Sequence, residues 1–329
     1  MKRAAAILLV AAMALSVPAV AAEPMAPIPV AEPPATAAPY LRVLGTAQDG
    51  GLPHVACTCE RCEAARQDPG ARRLVASLAL VLPESDRVLL LDATPDLPEQ
   101  LELLADVRAA PAGRVDRQPV DGIVLTHAHV GHYLGLAFLG FEAVHSRELP
   151  LWSTPRMASF LRDNEPWGQL VRLGNVALRE VSPGEAVDLG DQVSLRLLPV
   201  PHRDELSDTV GLLIRGPRRT VLYVPDTDSW EAWHPPLPAV LAAAGVDVAI
   251  LDGTFYSLGE LPGRSVAQIG HPLMLDTAEL LAAQVADGLE VYLTHLNHSN
   301  PALTAGSPER QRLQALGLRV LAEGQRIDL

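Results

Sequence analysis

Three histidines crowd the stretch Thr126-His127-Ala128-His129-Val130-Gly131-His132, directly after the apolar run Ile123-Val124-Leu125. The run reads as a buried strand, which puts the imidazoles on the turn that leaves it. Side chains two apart point the same way along an extended segment, so His127 and His129 share a side. His132 opens the next element, Tyr133 to Gly140, which has the small and apolar character of a helix start. Neutral imidazole is the commonest protein ligand for transition metals. The cluster therefore predicts a metal centre at a strand end.

A second group of metal-binding type lies upstream. All three cysteines fall in Cys57-Thr58-Cys59-Glu60-Arg61-Cys62. Three is an odd number for a disulfide framework, and the spacings are short. Thiolates so arranged can wrap one tetrahedral zinc, which then needs one more ligand. His54 is near in sequence and His271 distant; either completes the set.

The elements that must position these groups alternate between strand and helix. Leu41 to Thr46 reads as a first strand, broken by Gly50-Gly51 and Pro53. Val75 to Leu82 and Arg87 to Leu91 form a hairpin, with a helix near Leu97 to Val107. Leu149 to Ser153 is a short strand, and Thr154 to Asp163 reads as a helix. Val193 to Val200 is a core strand that ends at Pro201-His202. Thr209 to Ile214 and Thr220 to Val224 make another hairpin, followed by Pro225-Asp226-Thr227-Asp228. Asp247 to Leu251 ends in Asp252-Gly253-Thr254, and Glu290 to Thr294 ends in His295-Leu296-Asn297-His298.

Chain-wide properties narrow the function. Residues 1–21 have a basic start, an apolar run from Ala4 to Val17 and the small residues Ala19-Val20-Ala21, the pattern of a secretory signal peptide. A Pro- and Ala-rich leader, residues 22–39, follows, and a single domain is expected over 40–329. The predicted location is periplasmic or secreted, with no membrane span once the signal is removed. Net charge is −13, and loss of the two cations Lys2 and Arg3 takes it to −15. Such a surface repels polyanions, so nucleic acid is not an expected partner and a small-molecule substrate is. Oligomeric state is left open.

The histidine stretch resembles the His-x-His-x-Asp-His signature of the metallo-β-lactamase superfamily, with Gly131 where the signature has Asp. Within it, Leu44 to Gly51, the cysteine motif, Asp92 to Asp96, Leu251 to Thr254 with Gly270-His271, and Thr294 to Pro301 resemble one branch. That branch contains phosphonate-pathway phosphodiesterases and pyrroloquinoline quinone biosynthesis B proteins. The resemblance implies an αββα sandwich of two mixed β-sheets flanked by helices, with metals at one edge. It implies one metal on His127, His129 and His202, and a second on His132 and His295, with Asp226 bridging. Asp228 is expected to cap a helix starting at Ser229. Asp92 is expected to support the metal loop from behind, although a helix-capping turn would look similar. His271 is favoured as the fourth structural-zinc ligand, and His298 as a substrate-facing or surface group.

The implied activity is hydrolysis of a phosphodiester, ester or amide by metal-activated water. Zinc is expected in the structural site, and one or two ions, zinc, iron or manganese, in the other. Gly131 removes a carboxylate, which should lower second-metal occupancy and weaken catalysis; Asp204 and Asp208 are the candidates to fill the gap, and Asp226 to act on protons. Two alternatives use the same residues. His132, His295 and Asp226 form the two-histidine, one-carboxylate set of iron oxygenases, and a non-catalytic metal carrier would keep the scaffold. A β-lactam substrate is not supported, because the cysteine motif belongs to other branches.

Overall fold

The computed structural model describes residues 38–107, 118–260 and 270–329. The predicted signal segment and nearly all of the leader lie outside them. Among the described residues fourteen strands form two seven-stranded sheets. The first contains β1 (Tyr40–Gly45), β2 (Ser77–Leu82), β3 (Arg87–Leu91), β4 (Gly122–Val124), β5 (Leu149–Ser153) and β6 (Val176–Glu180). The second contains β7 (Ala186–Gly190), β8 (Val193–Pro199), β9 (Val210–Arg215), β10 (Thr220–Val224), β11 (Val248–Asp252), β12 (Glu290–Thr294) and β13 (Leu318–Val320). The C-terminal β14 (Arg326–Asp328) returns to pair with β1. Both sheets are mixed: β2 runs antiparallel to β3 and β3 parallel to β4, while β9 is antiparallel to β10 and β10 parallel to β11.

Strands buried on both faces read as continuous apolar runs, as β2 and β10 do with every residue buried. One apolar layer lies between the sheets, where Leu41, Leu89 and Val124 of the first meet Leu212, Tyr223 and Ile250 of the second. Two further layers cover the outer faces. One sets Ile123 and Leu151 against Met157, Leu161 and Trp167 of flanking helices; the other sets Leu251 and Leu293 against Leu241, Ala278 and Leu313. The result is the expected αββα sandwich.

The helix expected over Leu97 to Val107 is regular only over Leu97–Glu102. Asp228 caps no helix, since Ser229 to Trp233 forms turns and the next helix is Leu237–Ala244. Among the described residues no helix is long and apolar enough to cross a membrane.

β8, β10, β11 and β12 all end at the same edge as β3 and β4. Here the two sheets are stitched together by Ala47, which forms a parallel bridge to Val75 on one side and to Leu296 on the other. The loops that leave this edge carry nearly every metal-binding side chain predicted above.

Candidate metal centre

His127 lies just beyond β4, and His129 precedes the short helix Val130–Tyr133, which carries His132. His202 follows β8, Asp226 follows β10 and His295 follows β12. In space His127, His129, His202 and Asp226 converge, with their ligand atoms within 4.8 Å of one another. His127 Nε2 is 3.1 Å from His129 Nδ1, which is 2.9 Å from His202 Nε2. Asp226 Oδ2 lies 3.4 Å from His127 Nε2 and 3.1 Å from His202 Nε2. Tetrahedral ligands at about 2.0–2.1 Å from a zinc ion are separated by about 3.3 Å. The four atoms match that spacing and fit a single cation.

A second cluster adjoins it through Asp226. His132 Nε2 lies 3.8 Å from Asp226 Oδ2. Asp49 Oδ1 lies 3.6 Å from His132 Nε2 and 3.7 Å from His295 Nε2. His132 Nε2, His295 Nε2, Asp226 Oδ1 and Asp49 Oδ1 are buried and have no hydrogen-bond partner. An unpaired buried polar atom costs about 1–3 kcal/mol, and four in one pocket are what a bound cation would satisfy. The donor set of two imidazoles and two carboxylates fits a divalent ion.

The outward nitrogens of the imidazoles are held from behind. His132 Nδ1 is 2.7 Å from Asp92 Oδ2, and His202 Nδ1 is 2.8 Å from Asp228 Oδ1. His127 Nδ1 meets the Thr126 hydroxyl at 3.0 Å, and His295 Nδ1 meets that of Thr254 at 3.0 Å. Such partners fix ring orientation and tautomer. Asp92 is fully buried and also accepts from the Thr126 N–H at 2.8 Å, so it does support the loop from behind.

Protonation follows burial and charge. Burial holds the His127 and His129 imidazoles below their ordinary range, so both are neutral and ready to ligate. Burial also works against charge on His132, but the carboxylates of Asp92, Asp49 and Asp226 outweigh it and push the group up to about 9. For Asp226 burial opposes ionisation, yet the surrounding imidazoles of His295, His127, His202 and His271 hold the carboxyl well below the usual range. That makes Asp226 a dependable anionic ligand and a weak base.

His271 corrects the sequence expectation: it is not beside the cysteines. The segment after Gly270 pairs with Phe255, just past β11, and this brings His271 to the histidine clusters. Its Nδ1 is 2.8 Å from Asp252 Oδ2 and 3.4 Å from Asp226 Oδ1. Burial opposes its charge, but Asp252, Asp226 and Asp49 push it up to about 9. His298 is corrected in the opposite sense. The turn after β12 sends His295 inward and carries His298 to the cysteine loop, where the Arg61 guanidinium donates to its carbonyl at 2.7 Å.

There Cys57, Cys59 and His298 place their ligand atoms within 4.8 Å of one another, with the His298 Nδ1 buried and unpaired. Cys62 is buried alongside and accepts from the His54 N–H at 3.3 Å. None of the three cysteines is in a disulfide. Burial raises the Cys59 thiol, but hydrogen bonds from the Cys62 N–H and from the Cys57 and Cys62 thiols outweigh it and lower it, favouring thiolate. Cys57, Cys59 and His298 thus offer three converging ligand atoms of the kind zinc takes, with the Cys62 thiol beside them pushed up to about 11 by burial, and the ring of His54 lies tilted against that of His298 at 4.5 Å between centroids.

The substitutes expected for the carboxylate lost at Gly131 are engaged elsewhere. Asp204 accepts from the Thr209 hydroxyl at 3.4 Å, and Asp208 from that of Thr154. Asp49, which belongs to the Leu44 to Gly51 stretch of the resemblance but is not among the ligands it implies, lies at the second cluster instead.

Comparison with known proteins agrees with this fold. A family model described as a β-lactamase superfamily domain matches residues 87–296. Coenzyme PQQ synthesis protein B of Methylorubrum populi is 28% identical over 316 residues, covering 88% of this chain and 100% of the relative. The crystal structure of Zn(2+)-bound PqqB from Methylobacterium extorquens superposes with a TM-score of 0.72 at 25% identity, over 88% of this chain and 100% of that one. A diphosphatase of the PhnP family shares the fold, with a TM-score of 0.60 at 22% identity over 88% and 97% of the two chains.

Proposed function

Because this chain belongs to the β-lactamase superfamily and has the metallo-β-lactamase fold of PqqB-like proteins, we propose that it is a metal-dependent hydrolase of a small phosphodiester, ester or amide. The observation that carries the reading is the joined pair of ligand clusters sharing Asp226, backed by an acid-type group, His271, on the same edge. His127, His129, His202 and Asp226 would hold one cation, and His132, His295 and Asp226 the other; zinc or manganese suits these donors. Cations bound there supply Lewis acidity and lower the pKa of a coordinated water to about 7.

The protein's own groups do the rest. Against burial, the Asp252, Asp226 and Asp49 carboxylates push His271 up to about 9, and its Nδ1 faces Asp252, so Nε2 is the nitrogen that would pass a proton to a leaving group. Asp252 is fixed in turn by the N–H of Thr254 at 2.8 Å and its hydroxyl at 2.7 Å. Against burial, the imidazoles around Asp226 hold its carboxyl well below the usual range, which suits it better to ligation than to the proton acceptance expected from the sequence. The basic and apolar start of the chain further supports an exported enzyme. Cell fractionation would overturn that part by finding the full-length chain, leader retained, in the cytoplasm.

The test of the activity uses purified chain stripped of metal and reloaded with zinc, manganese or iron(II). Each form is assayed on a panel of nitrophenyl phosphodiesters, phosphomonoesters, carboxylic esters and anilides. Turnover restored by zinc or manganese and lowered in His127→Ala supports the reading. Inactivity of both reloaded forms, with oxygen uptake by the iron form, would replace it with oxidative chemistry.

A further inference from the structure

Gly131 is the one departure from the histidine signature, and the space beside it is filled by another part of the chain. A Cβ built on Gly131 would lie 2.0 Å from Asp49 Oδ1 and 2.9 Å from both Asp49 Cα and Cγ. No side chain can stand there while Asp49 keeps its place. Asp49 in turn is held by backbone. Ala47 bridges both sheets, the Gln48 N–H donates to the Leu296 carbonyl at 3.0 Å, and the Gly51 N–H closes the turn on the Gln48 carbonyl at 2.7 Å. The carboxylate therefore arrives next to His295 through the same strand-end pairing that positions His295 itself.

We propose that Asp49 is a ligand of the second metal position, supplying from the loop after β1 the carboxylate that position 131 does not, and that Asp49 and Gly131 function as a mutually dependent pair. Three observations converge. Asp49 Oδ1 is buried without a hydrogen-bond donor, and it lies 3.6 and 3.7 Å from the equally unpaired Nε2 atoms of two fully buried histidines, His132 and His295. The three ligand atoms lie within 4.8 Å of one another. The glycine leaves only enough room for a carboxylate that comes from elsewhere. With Asp49 included, the second position has two imidazoles and two carboxylates, so the site is not short of negative charge.

The inference rests on the two-cation reading above but makes its own demand on metal content. Full-length protein is compared with Asp49→Asn, Asp49→Ala, Gly131→Asp and the exchange variant Asp49→Gly/Gly131→Asp. Bound metal is counted by elemental analysis, affinity is measured by manganese titration, and spin coupling between paired manganese ions is read by electron paramagnetic resonance. Circular dichroism confirms the fold. Asp49→Asn, which keeps the shape, and Asp49→Ala should each bind one manganese fewer. Affinity at that position should fall by more than the roughly 10- to 100-fold typical of losing a supporting partner, and the coupled signal should vanish. Gly131→Asp alone should gain no metal, because its carboxylate competes for occupied space, whereas the exchange variant should recover the coupled signal. Wild-type stoichiometry, affinity and coupling in folded Asp49→Ala would overturn the proposal. If wild type shows the coupled pair but hydrolyses nothing, the hydrolase reading fails and the ligand assignment stands.

Discussion

Asp92 gives the sharpest quantitative expectation, because it touches no metal position and yet carries the histidine loop. Its buried carboxylate accepts from the Thr126 N–H at 2.8 Å, the Thr126 hydroxyl at 2.9 Å and His132 Nδ1 at 2.7 Å. Hydrogen bonds to a charged group contribute about 1.5–3 kcal/mol each, and breaking a buried ion pair costs about 3–5 kcal/mol. Its backbone φ is +69°, where Ala is disfavoured by about 1–2 kcal/mol and Asn is tolerated. Asp92→Ala should therefore destabilise the metal-free protein by about 4–6 kcal/mol, and Asp92→Asn, which still accepts from Thr126, by about 1–3 kcal/mol. The difference should depend on pH. His132 is raised from 6.5 to about 9 chiefly by Asp92 acting against burial, so the stability it contributes is complete below pH 6.5 and lost as pH rises through 9. Wild type and Asp92→Asn should converge over that window. Urea unfolding of metal-free protein at several pH values, with chelator competition for metal affinity, provides the assay. The reasoning is refuted if Asp92→Ala loses under about 1 kcal/mol and binds metal as wild type does.

Metal loading should release protons, because an ion at His132 must displace the one held there at neutral pH. Calorimetry in buffers of different ionisation enthalpy should show release, with affinity rising about tenfold per pH unit per proton between 6.5 and 9; zero release contradicts the assignment. His298→Ala should remove one zinc per chain and leave manganese binding at the histidine clusters intact, while His271→Ala should leave that zinc in place, so zinc content decides which histidine joins the cysteines. For the proposed hydrolysis, His271→Gln should lower kcat by about 10²–10⁴ on substrates with poor leaving groups and much less on nitrophenolate leaving groups, which need no proton. An equal loss on both would assign His271 to binding.

Much of the site is legible because its residues sit where apolar runs stop. Ile123-Val124-Leu125 before the histidine cluster, Val200 before His202 and Val224 before Asp226 each announce a strand end, and one edge collects them. Assigning a histidine to one of two clusters is different, because it depends on how loops close in space. His295 and His298 are three residues apart, yet the turn between them separates two metal-binding sets. His271 is placed by a single bridge, from Leu273 to Phe255, that no periodicity encodes. Asp49 lies in a turn before Gly50-Gly51, inside a stretch whose resemblance marks the branch but not a ligand. β6 and β7 escape prediction for a related reason: each is the outermost strand of its sheet, partly exposed, with Arg179 and Glu180 or Ala186 and Asp188 facing solvent.

The two clusters are mechanically one unit, and this explains why the cysteine motif accompanies the histidine signature in a chain that needs only the latter for chemistry. The segment from His295 to Asn300 serves both. His298 is tied to the cysteine loop, and the Asn300 side-chain amide donates to the Gly253 carbonyl at 3.0 Å and the Thr254 carbonyl at 3.2 Å, beside the Asp252 that orients His271. The Leu296 N–H donates to the Thr46 carbonyl at 2.8 Å, which fixes the strand that delivers Asp49. His295 itself has a φ of +62°, a conformation that costs a non-glycine residue about 1–3 kcal/mol and persists only where neighbours on both sides hold it. A cation held by His298 and the cysteines three residues later would anchor one side of that constraint, and the bridges through Ala47 and Leu296 anchor the other. An occupied cysteine cluster would thus help keep a strained ligand loop in place, and with it the geometry of the histidine-carboxylate clusters.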